Sequence, residues 1–288
     1  MTRVKKYLSK DKTIRIASVV STELVQAAIE HQRVSALSLT LMGRAMTGAV
    51  LMAAQLKEDQ VVGLHFKGDG PVGSIFTEAR YEGKVKVYCE NRNADLPSHG
   101  KISDGLGSGH LEVVRSLPFQ REPHRGTVEL VSGEIAEDIS YYLKQSHQVP
   151  SIVALSTIPG DHGCESAGGY ILELMPGYTE ETVQRLEALQ QVIPPINQLI
   201  AKGASESDLV SDYLVNFEFE PLVHPHDTFY QCDCSMERIE NSVRTLGVAE
   251  IRDMIQENRV FDVTCEFCGK SYQVNPVQLQ RIITELKA

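Results

Sequence analysis

Apolar and polar residues alternate in short runs between Val61 and Asn91, where VVGLHFKGDGPVGSIFTEARYEGKVKVYCEN is broken by Gly-rich turns. A period of two bounded by such turns predicts hairpin-like strands. GGYILELMPG (168 to 177) reads as another strand, closed by Pro176 and Gly177. Helical spacing takes over in SGEIAEDISYYLKQSHQVPS. Ser132 precedes acidic residues there, Ile135, Ile139, Tyr142 and Leu143 fall near one face, and Pro150 lies beyond the end. LSLTLMGRAMTGAVLMAAQL (37 to 56) is apolar almost throughout. Arg44 near its middle makes a membrane span costly, and the interleaving of large residues with Gly43, Ala45, Gly48 and Ala49 suits a buried helix packed closely on its neighbours. Strands and helices that do not alternate strictly predict an α+β class, with packed β-sheets and helices forming an N-terminal core over residues 1–178.

From Tyr178 the pattern changes. TEETVQRLEALQQVIPPINQLIAKG has acids in its first turn and apolar residues at Val183, Leu186, Val192, Ile193, Ile196, Leu199 and Ile200. Pro194 and Pro195 interrupt it, which predicts two short helices or one kinked helix. SESDLVSDYL opens on Ser205 and Asp208 like a capping box. In VNFEFEPL, Val215, Phe217 and Phe219 alternate with polar residues as in a half-buried strand. Elements this short stay folded only by docking an apolar face elsewhere, so residues 179–231 read as a helical, metastable linker. In the remaining segment, 232–288, Ser235 caps a helix with Met236, Ile239, Val243 and Leu246 on one face, ended by Gly247. Asn275 and Pro276 start another, with Leu279, Ile282, Ile283 and Leu286 as its stripe. A small α+β unit of this kind is too short for a secure core of its own.

Composition narrows the class. The chain has 288 residues, 42% of them apolar, which suits a soluble protein of about two domains. MTRVKKYLSKDKTIRIASVV is basic without an apolar leader segment, so no signal peptide, no membrane association and a cytoplasmic setting are expected. The net charge of −10 is uneven: residues 179–231 hold 9 acidic and 2 basic side chains. No basic patch for a phosphate backbone is present, and tryptophan is absent, which speaks against a nucleic-acid partner. No phosphate-binding loop motif occurs either.

Four of the six cysteines fall in the last segment, in QCDCSMERIENSV and VTCEFCGKSY. In a reducing compartment such a quartet reads as metal or redox chemistry. Cys232, Cys234, Cys265 and Cys268, spaced C-x-C and C-x-x-C, fit a tetrahedral zinc site with four thiolate ligands and one Zn2+ per chain. Structural zinc is worth about 10–16 kcal/mol of apparent binding energy, so its removal is expected to unfold the unit. Two unrelated disulfides are the alternative. A ring closed between cysteines one residue apart departs from relaxed geometry, and strained disulfides are labile and regulatory. The spacing therefore suits a switch as well as a staple.

FYQCDCSMERIENSVRTLGVAEIRDMI with VTCEFCGKSYQV resembles the redox-switch domain of the bacterial 33-kilodalton heat-shock protein family, redox-regulated holdase chaperones. The resemblance rests on Cys232, Cys234, Ser235, Glu237, Arg238, Leu246, Gly247, Glu250, Cys265, Phe267, Cys268 and Tyr272. Upstream, GDGPVGSI, SGEIAEDISYYLKQSHQVPS and AGGYILELMPG resemble that family's core domain. The resemblance implies a protein that is not an enzyme. Reduced, it holds zinc through the four cysteines and is inactive. Under peroxide or hypochlorous acid, often with unfolding stress, Cys265–Cys268 and then Cys232–Cys234 disulfides form, zinc is lost, and the switch domain and linker loosen. The exposed apolar surface binds unfolding client proteins without ATP, the active form tends to a homodimer, and thioredoxin- or glutaredoxin-type reductants reverse it.

Other chemistry is weaker. Cys164 with His162 forms a candidate thiol and base pair but reads better as an exposed turn, and Cys89 reads as a buried apolar residue. His224 and His226 in VHPHD are candidate alternative ligands, or a solvated loop around Pro225. Two rival functions share the thiols. One is a zinc ribbon binding nucleic acid or the translation machinery. The other is a thiol oxidoreductase working through Cys265 and Cys268, although Gly269, Lys270 and a strand-like SYQV follow where a helix is the rule.

Overall fold

The computed structural model describes residues 2–287, apart from 31–32, 97–98, 119, 121 and 224–225. The chain divides into two compact units, Met1–Gln231 and Cys232–Ala288. The first begins with β1 (Val4–Ser9), β2 (Ile14–Val20), α1 (Thr22–Ile29) and α2 (Ala36–Ala53). It continues through β3 (Val61–Gly68), β4 (Ser74–Arg80), β5 (Lys84–Cys89), β6 (Gly109–Ser116), β7 (His124–Glu129), α3 (Ala136–His147), β8 (Ser151–Gly160) and β9 (Gly163–Leu174). It ends with α4 (Glu180–Gln190), α5 (Ile196–Ala201), α6 (Ser211–Asn216), β10 (Phe219–Leu222) and β11 (Phe229–Tyr230). The second unit holds α7 (Met236–Arg244), α8 (Val248–Gln256), β12 (Phe261–Thr264), β13 (Ser271–Val274) and α9 (Pro276–Lys287). The class is α+β, as the mixed pattern predicts.

Among the described residues the strands form three sheets. One has five strands in the order β10-β1-β2-β9-β8, one has six in the order β11-β5-β4-β3-β6-β7, and β12-β13 is a hairpin. The named pairings are antiparallel except β11 on β5. Sequential antiparallel pairing of β3, β4 and β5 follows directly from the Gly-punctuated alternation of residues 61–91.

α2 packs against β3, β4 and β5 of the larger sheet and against β8 and β9 of the smaller. A helix enclosed in this way has no solvent face, which is why its sequence lacks a polar stripe. It is long and apolar enough to cross a membrane, yet 89% of it is buried inside the protein, the mark of a core helix. Its glycines permit the approach: a Cβ on Gly43 would lie 2.4 Å from Thr157 Oγ1, and one on Gly48 2.4 Å from Ile139 Cδ1. Arg44 forms an ion pair with Glu134.

The start of α3 differs from the sequence reading. Asp138, not Ser132, holds the helix entry. Its buried carboxylate accepts the N–H groups of Val131 at 2.8 Å, Ser132 at 3.0 Å, Gly133 at 3.4 Å and Ile135 at 3.0 Å. Gathering them turns the chain so tightly that Ile135 sits at φ +69°, in the left-handed region. Ser132 Oγ serves only the N–H of Glu134.

Residues 179–222 lie on the smaller sheet. Leu186, Ile200, Leu209, Val210 and Tyr213 are buried against Tyr7, Ile14, Ile16, Tyr170, Leu172 and Leu174. Two polar contacts fix the register: Tyr170 and Tyr213 hydroxyls at 3.2 Å, and Tyr7 hydroxyl with Ser207 Oγ at 3.0 Å. The prolines break the helix as predicted, giving α4 and α5. The Ser205–Asp208 box forms, with Ser205 N–H and Oγ both donating to Asp208 Oδ2. The expected strand starts later than its alternation suggests: Val215 lies in the last turn of α6 and is exposed, and β10 begins at Phe219 to pair with β1.

Replacing Asp138 with Ala leaves the gathered N–H groups without their charged acceptor, a loss of about 3 kcal/mol by the usual worth of hydrogen bonds to a charged group. Urea denaturation of Asp138→Ala checks this; an unchanged midpoint would refute the cap.

Candidate metal centre

Each pair of thiols is set by a local structure that its neighbours dictate. Cys232 and Cys234 lie just before α7, whose N-cap Ser235 accepts the Arg238 N–H at 3.3 Å. Cys265 and Cys268 occupy the turn of the β12–β13 hairpin. Strand pairing ends at Thr264 with Ser271, so the six residues between must reverse the chain. Cys265 N–H donates to Lys270 O at 2.9 Å and Gly269 N–H to Cys265 O at 2.8 Å. Gly269 takes φ +72°, a conformation that costs glycine least.

These two turns bring all four Sγ atoms within 4.8 Å of one another. Cys232 and Cys265 are 3.6 Å apart, and Cys234 and Cys268 are 3.4 Å apart. Four ligands at about 2.3 Å from a central zinc stand about 3.8 Å from one another in a tetrahedron. The spacing fits that figure and is far beyond a sulfur–sulfur bond of about 2.05 Å. All four thiols are free. A set of four sulfurs is soft and selects zinc or iron over oxygen-seeking cations.

The electrostatics of the cluster point the same way. Burial raises Cys232, partly offset by a hydrogen bond from the Cys234 backbone. Burial raises Cys268 too, partly offset by the Lys270 backbone. At Cys234 burial is outweighed by donors, led by the Tyr272 hydroxyl at 3.1 Å, and its affinity for a proton falls below the ordinary thiol value. Tyr272 is in turn pushed up to about 12 by donating to that sulfur. Thiols that hold their protons this unevenly become thiolates together only when a cation offsets their charge.

The surrounding unit is small. Ile239, Val243, Ile251, Val274, Leu279, Ile282 and Ile283 form its apolar centre, with Cys265 and Tyr272 at the margin. Glu240 on α7, buried, receives Arg281 of α9 on both carboxylate oxygens, and Arg244 pairs with Glu285. Asn275 and Gln278 cap α9 reciprocally, each side chain taking the other's N–H at 3.0 Å. The stripes predicted for α7 and α9 are correct except at their ends, where Leu246 and Leu286 are exposed.

The remaining candidates lie apart from the quartet in chemistry. Cys164 is buried on β9 while His162 is exposed in the turn before it, so the two share no exposed loop. Burial pushes Cys164 up to about 12 and Cys89 up to about 11. His226 stacks edge-on against Tyr81 in the first unit at 4.9 Å; His224 and Pro225 lie outside the described residues. The donor role of Tyr272 was not read from the sequence, although its place seven residues after Cys265 on an alternating strand was visible.

A family model described as Hsp33 protein matches residues 3–275. The 33 kDa chaperonin of Acetivibrio thermocellus is 38% identical over 281 residues, covering 96% of this chain and 94% of its own. That of Desulforamulus reducens is 34% identical over 285 residues, covering 97% and 96%. The crystal structure of the 33 kDa chaperonin from Thermotoga maritima superposes with a TM-score of 0.87 at 27% identity, over 99% of both chains.

Two outcomes follow from the site. In metal-free protein at neutral pH, iodoacetamide followed by peptide mass spectrometry should label Cys232, Cys234, Cys265 and Cys268, whose unit has lost its central tie, and spare Cys89 and Cys164, which stay buried in the first unit. Rapid labelling of Cys164 would contradict this. Arg281→Met strands a buried carboxylate and should weaken zinc binding in a chelator competition by about 2 kcal/mol. Adding Glu240→Met should restore most of the loss, and a double variant no better than the single would refute the assigned pair.

Proposed function

The chain belongs to the Hsp33 protein family, and on that premise we propose that it is a redox-regulated, ATP-independent holdase, inactive while its four thiolates hold one zinc ion. The observation that carries the reading is the quartet of free sulfurs at tetrahedral spacing, in a unit whose apolar centre is too small to stand unaided. When bound, zinc supplies cohesion: it keeps Cys232, Cys234, Cys265 and Cys268 anionic and ties the α7 entry to the β12–β13 turn.

Activation is an oxidation of the ligands. Four thiolates give up four electrons and become two disulfides, while two molecules of hydrogen peroxide take those electrons together with four protons from the surrounding water and leave as four waters. The pairs are Cys265–Cys268 and Cys232–Cys234, as the family resemblance implies; the four sulfurs lie too close together for distance alone to select a pairing. Disulfide sulfurs carry no negative charge, so the site can no longer hold the ion, and the second unit loses its main tie.

Loosening then passes along the chain to residues 179–231, the metastable linker of the proposal. The last anchors of that segment are β11 on β5 and the Gln231 N–H to Val85 O at 2.9 Å, one residue before Cys232. Its helices are short, and it carries 9 acidic against 2 basic side chains. Once it lifts, the sheet face bearing Ile14, Ile16, Leu172 and Leu174 becomes apolar surface open to unfolding clients. The same reading takes the active form as a homodimer and thioredoxin- or glutaredoxin-type reductants as the way back. It also places the protein in the cytoplasm, with neither nucleic acid nor membrane as a partner and no catalysed reaction.

Zinc-loaded protein treated with peroxide at mild heat should release its zinc, lose four thiols and suppress client aggregation in light scattering, while reduced protein does not. Equal suppression by both forms would overturn the proposal. Cys268→Ser should bind zinc more weakly and suppress aggregation partially while still reduced; full zinc retention with no activity would count against the coupling.

A further inference from the structure

A cleft of about 360 Å³ opens between the β6–β7 hairpin and the last turns of α3. Arg115 and His124 line it from the hairpin, and Tyr142, Ser146 and His147 line it from the helix; among the described residues no carboxylate does. Gly126 on β7 allows the close approach of α3, since a Cβ there would lie 2.9 Å from the Tyr142 ring and 3.4 Å from Ser146 Oγ.

Arg115 is the group that the fold leaves unexplained. Its Nε is sealed from solvent with no acceptor among the described residues. The charges around it are already committed. Arg125, also on the wall, pairs with Glu112 at 2.7 Å. Glu173, whose charge Arg115 feels, pairs with Arg15 at 2.8 Å. The carbonyl end of α3 does not use Arg115 either: Gln148 turns left-handed, and its N–H and that of Val149 serve Leu143 O. A half-buried cation without a counter-charge is costly to keep. Burial accordingly lowers Arg115 from its ordinary value, and burial followed by the Arg115 charge lowers His147.

We propose that this cleft binds a phosphate-class oxyanion, with Arg115 as the anchoring cation and the Tyr142 and Ser146 hydroxyls and the His124 and His147 imidazoles as further donors. The chemistry follows from the donor arrangement. A guanidinium suits phosphate as well as carboxylate, but donors arriving from a strand on one side and a helix on the other match four tetrahedral oxygens better than a planar pair. The volume leaves room for a small organic substituent, so free phosphate and a phosphomonoester are both sources of the same group. None of these residues belongs to the thiol unit or to residues 179–231.

Reduced, zinc-loaded full-length protein is titrated with inorganic phosphate, and separately with glycerol 3-phosphate, at constant ionic strength with chloride as reference. The imidazole NMR signals of His124 and His147 are followed. Both should move saturably with phosphate and not with chloride, and the tighter of the two titrants identifies the source. Arg115→Gln should weaken binding at least about tenfold, or about 1.4 kcal/mol, while Arg115→Lys keeps part of it. Absence of a saturable shift, or unchanged affinity in folded Arg115→Gln, overturns the site. Should Arg115→Gln fail to fold, Tyr142→Phe with Ser146→Ala removes two donors and keeps the charge; several-fold weaker phosphate binding is then expected, and unchanged affinity overturns the proposal.

Discussion

Four sulfur atoms within 4.8 Å of one another cannot all be anionic unless a cation sits among them. The second unit is arranged around that constraint. Its two turns, one before α7 and one in the β12–β13 hairpin, present sulfur to a common point while backbone N–H groups and the Tyr272 hydroxyl face the sulfurs. The same donors that favour thiolates make the cluster sensitive, because a thiolate is the form that reacts with an oxidant. With a cation bound, cohesion and reactivity would reside in the same four atoms, whereas burial raises Cys89 and Cys164 and keeps them protonated.

The first unit is stabilised differently. α2, enclosed by strands of both large sheets, gives it a continuous apolar core that depends on no charge balance. The acidic segment forms a separate layer with its own apolar cluster, pinned by two hydroxyl contacts and one edge strand. Regions with short helices and few long-range ties open first when a protein is stressed. The layout is graded, from a core secured by packing to a layer secured by docking.

How much of this was legible in the sequence depends on the range of the interaction. The strands of residues 61–91, the helix break at Pro194 and Pro195, the Ser205, Ser235 and Asn275 caps and the thiol quartet are local signals, read within a few residues. The Asp138 cap was missed because the residue that ends the turn lies inside the helix it starts, and Ser132 offered a nearer candidate. β10 was placed too early because the alternation of Val215 to Phe219 is compatible with a strand, while the end of α6 is fixed by tertiary packing. The end of α7 at Gly247 is legible, but α8 is not, since Gly247, at φ +87°, signals a stop while also serving as the entry to the next helix. Tyr272 as a donor to Cys234 required the hairpin register, which no single stretch of sequence contains.

β10 and β11 are both outermost strands. β10 closes the side of the five-stranded sheet at β1, and β11 closes that of the six-stranded sheet at β5. Both belong to the stretch of chain immediately before Cys232, the first thiol of the quartet. Were that stretch to peel away, β1 and β5 would each be left with a row of unpaired amide and carbonyl groups, a template to which any extended polypeptide can add. Such uncovering would create backbone stickiness as well as greasy surface, and the two strands that cover those edges at rest mark where an unfolded neighbour would first align.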